Sequence, residues 1–214
     1  VQQQQPKIDH YWTDSCFEEG YFTFPRLYSE IVKLFSDDCH FVEVGSWKGR
    51  SSAYMAVEIH NSGKKIKFDC VDTWMGSVTE DGHQNDTYVK NGNLYEKFLS
   101  NIKPVSHVIT PVREDSVKAA NLYEDGSLDF VFIDADHRYD SVVADIKAWL
   151  PKLKNLGVLA GHDYGWCSDV RRAVHDTIGV GEGKYEDQYG VGFSSYDDGF
   201  GEGCWVYQVE KIGE

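Results

Sequence analysis

The sequence predicts an α/β chain: a doubly wound, mostly parallel seven-stranded sheet with helices on both faces and an antiparallel C-terminal edge. Three observations predict it. Short runs rich in β-branched and aromatic residues, several ending in Gly or Asp, alternate with longer segments whose apolar residues recur at three and four. A strand, a glycine turn, a helix and a second strand follow one another over residues 39–71, the length of a βαβ unit. The chain's 214 residues, 41% of them hydrophobic, suit one domain that folds without a disulfide or metal staple.

Residues 1–26 are polar and aromatic by turns and read as an N-terminal arm, packed on its own domain or acting as a lid; residues 27–214 form the domain. Leu27, Ile31, Leu34 and Phe35 share one helical face, and the run 39–44 is the first strand, ending before Gly45. A helix over 51–60 and a strand over 66–71 follow, closed by Asp72. The stretch 73–92 is polar, with a helix expected over 94–102, a short strand over 107–110 and a brief helix over 116–122. Residues 128–133 are the most strand-like run and stop at Asp134. The clearest helix spans 141–153, capped by Asp140 or Ser141 and ended by Pro151 and Gly157. A strand over 157–160, a helix over 169–178 and a strand over 204–209 complete the pattern. The segment 179–203, with eight glycines, six acids and one Lys, reads as an edge hairpin or a flap.

With 35 acidic against 21 basic side chains the net charge is −14. That balance argues against nucleic acid and against an anionic membrane surface, since both need clustered Lys and Arg. It leaves a small neutral or cationic ligand as partner, and a homo-oligomer remains compatible. Five cysteines, an odd number with no C-x-x-C spacing, give neither a zinc knuckle nor a disulfide framework and favour a reducing, cytoplasmic setting. The N-terminus lacks a secretion signal, and no apolar run approaches a membrane span. Beginning at Val1 rather than Met, the chain is expected to have lost a leader.

In a doubly wound sheet, ligands bind outside the carboxyl ends of the strands. After the first strand stands Glu43-Val-Gly45-Ser46-Trp47-Lys-Gly49-Arg-Ser51. This is not the three-glycine fingerprint of a dinucleotide site. Two glycines four apart, an acid before them and a hydroxyl after, suit a zwitterion better than a diphosphate. Asp72, after the second strand, is placed to accept two hydrogen bonds from a ribose diol. The fourth strand ends Ile133-Asp134-Ala-Asp-His137 and the fifth ends Ala160-Gly-His162-Asp163. Adjacent parallel strands would bring Asp134, His162 and Asp163 together, a donor set for a divalent metal; the alternative is a pair of helix caps beside a solvated His.

These residues resemble the class I S-adenosylmethionine-dependent methyltransferases, whose fold is a Rossmann-like sheet, over about residues 27–209. The resemblance implies that Glu43, Gly45, Ser46, Trp47, Gly49 and Ser51 line the methionine end of S-adenosylmethionine and that Asp72 takes the ribose. It places Asp115 and Ser116 in the adenine loop, although Asp115 also reads as a helix N-cap. The D-x-x-H and H-D pairs resemble the metal-dependent small-molecule O-methyltransferases, including catechol and macrolide-sugar enzymes. That branch implies a divalent metal, magnesium or manganese, on Asp134, His162 and Asp163, with Asp134 also at the cofactor. His162 departs from the oxygen ligands usual there. The implied reaction is methyl transfer to a small-molecule hydroxyl, with Asp134 and His137 catalytic and His137 the general base. His137 stacking on adenine or capping a helix is the competing role. Two other functions stay open: a nicotinamide-dependent oxidoreductase, and a non-catalytic S-adenosylmethionine-binding protein on the same fold. Trp74, His83, Tyr164 and Trp166 are candidate walls of the acceptor pocket.

Overall fold

The six residues of the Leu128–Ile133 strand are all buried, as a central strand covered by helices on both faces requires. The structure, a computed structural model, describes residues 6–17, 22–78, 80–179, 189–196 and 203–211. Its main elements are α1 (Pro25–Leu34), β1 (Cys39–Val44), α2 (Arg50–Ser62), β2 (Ile66–Asp72), α3 (Asp81–Asn85), α4 (Thr87–Lys90), α5 (Leu94–Asn101) and β3 (Ile109–Arg113). Then follow α6 (Ser116–Ala120), β4 (Leu128–Ile133), α7 (Tyr139–Trp149), β5 (Leu153–Gly161), α8 (Ser168–Val174), β6 (Tyr189–Tyr196) and β7 (Cys204–Lys211).

The strands lie in the order β3-β2-β1-β4-β5-β7-β6. β1 to β5 are parallel, and β7 runs antiparallel to both neighbours, so the C-terminal edge is antiparallel as expected. The chain winds outward from β1 to β3, then returns to place β4 against β1. That reversal is the switch point where such sheets open a crevice. Alternate strand residues face opposite sides. Phe41, Phe68, Phe130 and Phe132 pack with α1, α2 and α5 on one face; Val42, Val44, Val131 and Ile133 pack with α7 and α8 on the other.

The arm belongs to the first of these cores. Phe17, Phe22 and Phe24 are buried, and the Phe24 ring lies 4.6 Å from Phe132. α1 starts at Pro25, two residues before the expected start of the domain, with proline near its N-terminus where its missing N–H costs nothing. Other boundaries move too, among them the helix expected over 169–178, which is α-helical from Ser168 to Val174 and continues as a π turn over His175–Gly179. β3 covers 109–113 rather than 107–110, because Pro111 is tolerated on an edge strand. α7 begins at Tyr139, and its N-cap Arg138 makes no side-chain cap; neither Asp140 nor Ser141 occupies that position. It stops at Trp149, and Leu150–Lys152 form a 3-10 turn around Pro151. β5 begins at Leu153 with an irregularity in its pairing to β4. The segment 179–203 lies partly outside the described residues; within it, β6 pairs along β7. Among the described residues, no helix is long and apolar enough to cross a membrane.

Candidate functional site

Strand register creates the site. Val44 lies opposite Ile133 across β1–β4, and Ile133 opposite Gly161 across β4–β5. The next residue of each strand, Gly45, Asp134 and His162, therefore emerges at one edge. Backbone bonds hold this alignment: Gly45 N–H donates to the Val71 carbonyl (2.8 Å), Asp134 N–H to Val44 (2.8 Å) and His162 N–H to Ile133 (3.1 Å).

Both glycines of the loop after β1 have left-handed backbones, Gly45 at φ 93° and Gly49 at φ 82°. The space a side chain would need is taken by the protein itself. A Cβ on Gly45 would sit 1.9 Å from the Asp134 carbonyl oxygen, and one on Gly49 would sit 2.9 Å from Phe98 and Ile102. The glycines thus let strand end and helix approach the loop. Glu43 is buried beneath it: its carboxylate accepts from Tyr28 Oη at 2.8 Å and from the Ser52 hydroxyl, with Ser51 also engaged. Burial pushes its pKa up against those hydrogen bonds. Ser46 Oγ is buried and meets no well-aligned partner.

Asp72 ends β2 with both oxygens facing backbone donors, Oδ2 to Trp47 N–H (2.8 Å) and Oδ1 to Trp74 N–H (2.7 Å). Burial raises its pKa and these two bonds oppose the rise. Each oxygen keeps a second lone pair. Asp72 lines a cavity of about 360 Å³ together with Gly45, Trp47, Asp115, Ser116 and Asp134. Asp115 caps α6, accepting from Lys118 N–H at 3.2 Å, so its helix-cap role is present in the fold. Ser116 Oγ accepts from Trp149 Nε1 at 3.0 Å. Gly49, Ser51, Glu43 and Ser46 do not line this cavity.

At the other side of Asp134 stand His162 and Asp163. One ligand atom from each of the three lies within 4.8 Å of the others. His162 Nδ1 is 3.0 Å from Asp163 Oδ1 and 3.9 Å from Asp134 Oδ1, while its Nε2 meets Thr23 Oγ1 of the arm at 2.8 Å. His137 Nε2 is 2.7 Å from Asp163 Oδ2, and its Nδ1 is 3.4 Å from Glu80 Oε1. Trp166, largely exposed, donates from Nε1 to Asp163 at 2.8 Å. Burial pushes Asp134 up, with Asp163 adding to the rise and His162 and His137 opposing it. Burial also works against charge on Asp163, but the two histidines outweigh it and hold the carboxyl well below the usual range. On His137, burial disfavours the cation; Asp163, Asp134 and Glu80 overcome it and lift the pKa to about 9. His137 is thus an imidazolium at neutral pH in this arrangement.

Of the four expected pocket walls, Trp74 is core: it is buried against Tyr95 and Phe98 and donates from Nε1 to the Trp47 carbonyl. Tyr164 bonds His175 at 2.6 Å. His83 lines the cavity, stacked on Trp47 with centroids 4.0 Å apart, and Trp166 flanks Asp163. Thr23, Glu80, Lys48 and Asp145 escaped the sequence reading. Thr23 and Glu80 arrive from an arm and an insertion with no periodicity, so no pattern points to them. Lys48, inside the glycine loop, is buried and paired with Asp86 at 2.6 Å. Asp145 falls on the apolar stripe of α7, an acid where spacing calls for a core residue, and that signal was available.

Residues 42–164, more than half of the chain, match the family model described as a methyltransferase domain. Among curated proteins, an uncharacterized Sinorhizobium fredii protein, y4gI, is 26% identical over 122 residues. The match covers 57% of this chain, which spans about 13% of that relative's length. Among solved structures, the O-methyltransferase NovP is similar with a TM-score of 0.62 at 15% identity, covering 88% of this chain and 80% of NovP. Cofactor-bound Rv0187 from MTB has a TM-score of 0.58 at 15% identity, covering 91% and 83%. An rRNA methylase from Streptococcus thermophilus has a TM-score of 0.54 at 12% identity, covering 88% and 95%. These likenesses establish the fold.

Proposed function

This chain belongs to the methyltransferase-domain family, and on that premise we propose that it transfers a methyl group from S-adenosylmethionine to a hydroxyl of a small molecule, with a divalent cation at Asp134, His162 and Asp163. One observation carries the reading. The cavity bounded by Gly45, Asp72, Ser116 and Asp134 shares Asp134 with the three-residue donor cluster, so a nucleoside site and a cation site would meet at one carboxylate.

S-Adenosylmethionine supplies a methyl already activated on sulfur, so the chain's work is to bind, orient and deprotonate. Asp72 accepts the ribose diol through the lone pairs its backbone donors leave free. The loop from Gly45 to Ser51 presents the methionine end through the backbone at Gly45 and Trp47, which line the cavity. Glu43 acts from below, fixing Tyr28, Ser51 and Ser52. Asp115 and Ser116 border the base. Two carboxylates and an imidazole form a donor set that fits a divalent ion, and nitrogen at His162 favours manganese or zinc over magnesium. Held by Asp134, His162 and Asp163, such an ion would supply Lewis-acid activation of an acceptor hydroxyl. Were Asp163 committed to a cation, His137 would lose the partner that keeps it charged, and its pKa would fall toward the ordinary ~6.5, where it could serve as a base.

Trp166 offers the acceptor a ring face beside Asp163. The cavity rim carries Glu114 and Asp115, with Asp136 paired to Arg138, a balance that suits a neutral or cationic small molecule rather than a polyanion. Five free cysteines suit a reducing, cytoplasmic setting.

Calorimetry with S-adenosylhomocysteine tests the cofactor reading: micromolar binding is expected, and no heat with a folded sample at high micromolar ligand would overturn it. Asp134→Ala and Asp163→Ala should lose manganese affinity while nucleoside binding survives; unchanged affinity in both variants would remove the cation site. His137 offers an independent check. In an NMR titration its pKa should lie near 9 without metal and drop by about two on adding zinc. A panel of acceptors assayed with and without chelator then identifies the substrate.

A further inference from the structure

We infer that Asp145 reads the amino edge of the nucleoside base and so sets base specificity at the proposed cofactor site. The inference rests on the S-adenosylmethionine reading given above and adds a residue to it.

Asp145 lies on α7, one turn beyond Ser141 and beside Ala144, and this face of the helix lines the cavity. Only 4% of its surface is exposed. Its one hydrogen-bonding neighbour of note is Ser116. The Ser116 oxygen accepts from Trp149 Nε1 at 3.0 Å, and its remaining hydrogen is the neighbour that favours the ionised Asp145 carboxyl. Among the described residues, no Lys, Arg or His forms an ion pair with Asp145, and the charges that bear on its pKa are acids, Asp115 and Asp136. A carboxyl buried without a cation costs the fold free energy, and nothing in the packing of α7 uses it. Consistent with that cost, burial first and the two acids after it raise its pKa to about 7.

The cavity explains the carboxyl where the fold does not. Val71, Val117 and Ala135 supply apolar surface suited to a flat heterocycle. With the ribose anchored at Asp72, the base extends toward α6 and α7, and its edge meets Asp145. The Ser116 hydroxyl favours the ionised carboxyl, which still has an oxygen to accept an N–H. An exocyclic amino group supplies that donor. A carbonyl at the same position would set acceptor against acceptor, leaving two buried polar groups unsatisfied, the kind of mismatch that yields large discrimination.

The test compares calorimetric binding of S-adenosylhomocysteine with that of its inosyl analogue, in which a carbonyl replaces the base amino group. It is run at pH 8, where the carboxyl is ionised. The wild-type protein should prefer the amino compound by about tenfold or more. Asp145→Asn can turn its amide donor toward the carbonyl and should reduce that preference below about threefold or invert it. Asp145→Ala should weaken the amino compound by about tenfold with no gain for the other. Wild-type binding of the amino compound with an undiminished preference in both variants, each shown folded by its thermal melt, would overturn the role of Asp145 alone. Wild-type protein that binds neither compound would overturn the cofactor reading and this inference with it.

Discussion

Gly45 has no room for a side chain, and the obstacle is backbone: a Cβ would fall 1.9 Å from the Asp134 carbonyl oxygen at a φ of 93°. Gly45→Ala must push β1 and β4 apart at the point where the candidate site is assembled. A loss of about 3–5 kcal/mol in urea unfolding, or failure to fold, is expected. Asp145 has the opposite character. Its carboxyl titrates near 7 in the folded chain against an ordinary value of 3.8. The folded state therefore holds a proton that the unfolded state has released between about pH 4 and pH 7, and stability falls as pH rises through that window. The gap is worth on the order of 4 kcal/mol at most. Asp145→Asn removes it, so the variant should match wild type near pH 3 and exceed it in melting temperature at pH 8; equal melting at pH 8 would contradict this. Glu43 shows the limit of a motif. Its place before the glycines marked it as a ligand, yet its oxygens point inward to Tyr28 and Ser52, because side-chain direction depends on packing that lies far away in sequence.

The polar insertion after β2 is the element whose structure the sequence least announces. Residues 73–92 carry no apolar period, yet they form α3 and α4 and pack over the glycine loop. Side chains from the loop fix them there: Lys48 Nζ meets Asp86 at 2.6 Å and stands over the Trp47 and Tyr88 rings, and His83 stacks on Trp47. Asp86 also caps α4. Breaking a buried pair leaves an uncompensated charge, so Asp86→Ala should cost about 3 kcal/mol and expose residues 73–92 to protease. Adding Lys48→Met should recover part of that loss; no change in Asp86→Ala would show the pair to be idle. The strands and long helices, by contrast, were legible because period and strand-end Gly or Asp are local signals. β3 runs on through Pro111 to Arg113, beyond the expected 107–110, since a proline closes a strand only where its N–H is needed, and edge position is a property of the assembled sheet. The convergence of Asp134 with His162 and Asp163 was readable for the same reason in reverse: parallel order alone places successive strand ends together.

At the scale of the molecule, charge is polarised along the sheet. The carboxyl ends of the strands carry Asp72, Asp134 and Asp163, while the opposite end holds a groove whose Lys64, Lys65, Lys67 and Lys154 outnumber its acids Asp38 and Asp69. The total remains −14, so the folded chain works against its own repulsion. Sodium chloride raised from about 20 mM to about 500 mM shortens the Debye length severalfold and should raise the melting temperature by a few degrees, since about 1 kcal/mol corresponds to roughly 2–4 °C at this size. A divalent ion would act through screening too, so stabilisation by manganese is informative only at matched ionic strength. Under that condition a specific site at 100 times its dissociation constant adds about 2.7 kcal/mol, a further rise of roughly 5–10 °C. Asp134→Ala and Asp163→Ala should keep the response to sodium chloride and lose the increment from manganese. An increment that survives in both variants would place the ion elsewhere among the acids. The charge excess would then serve screening and solubility, and the strand-end carboxylates would have to act without a metal.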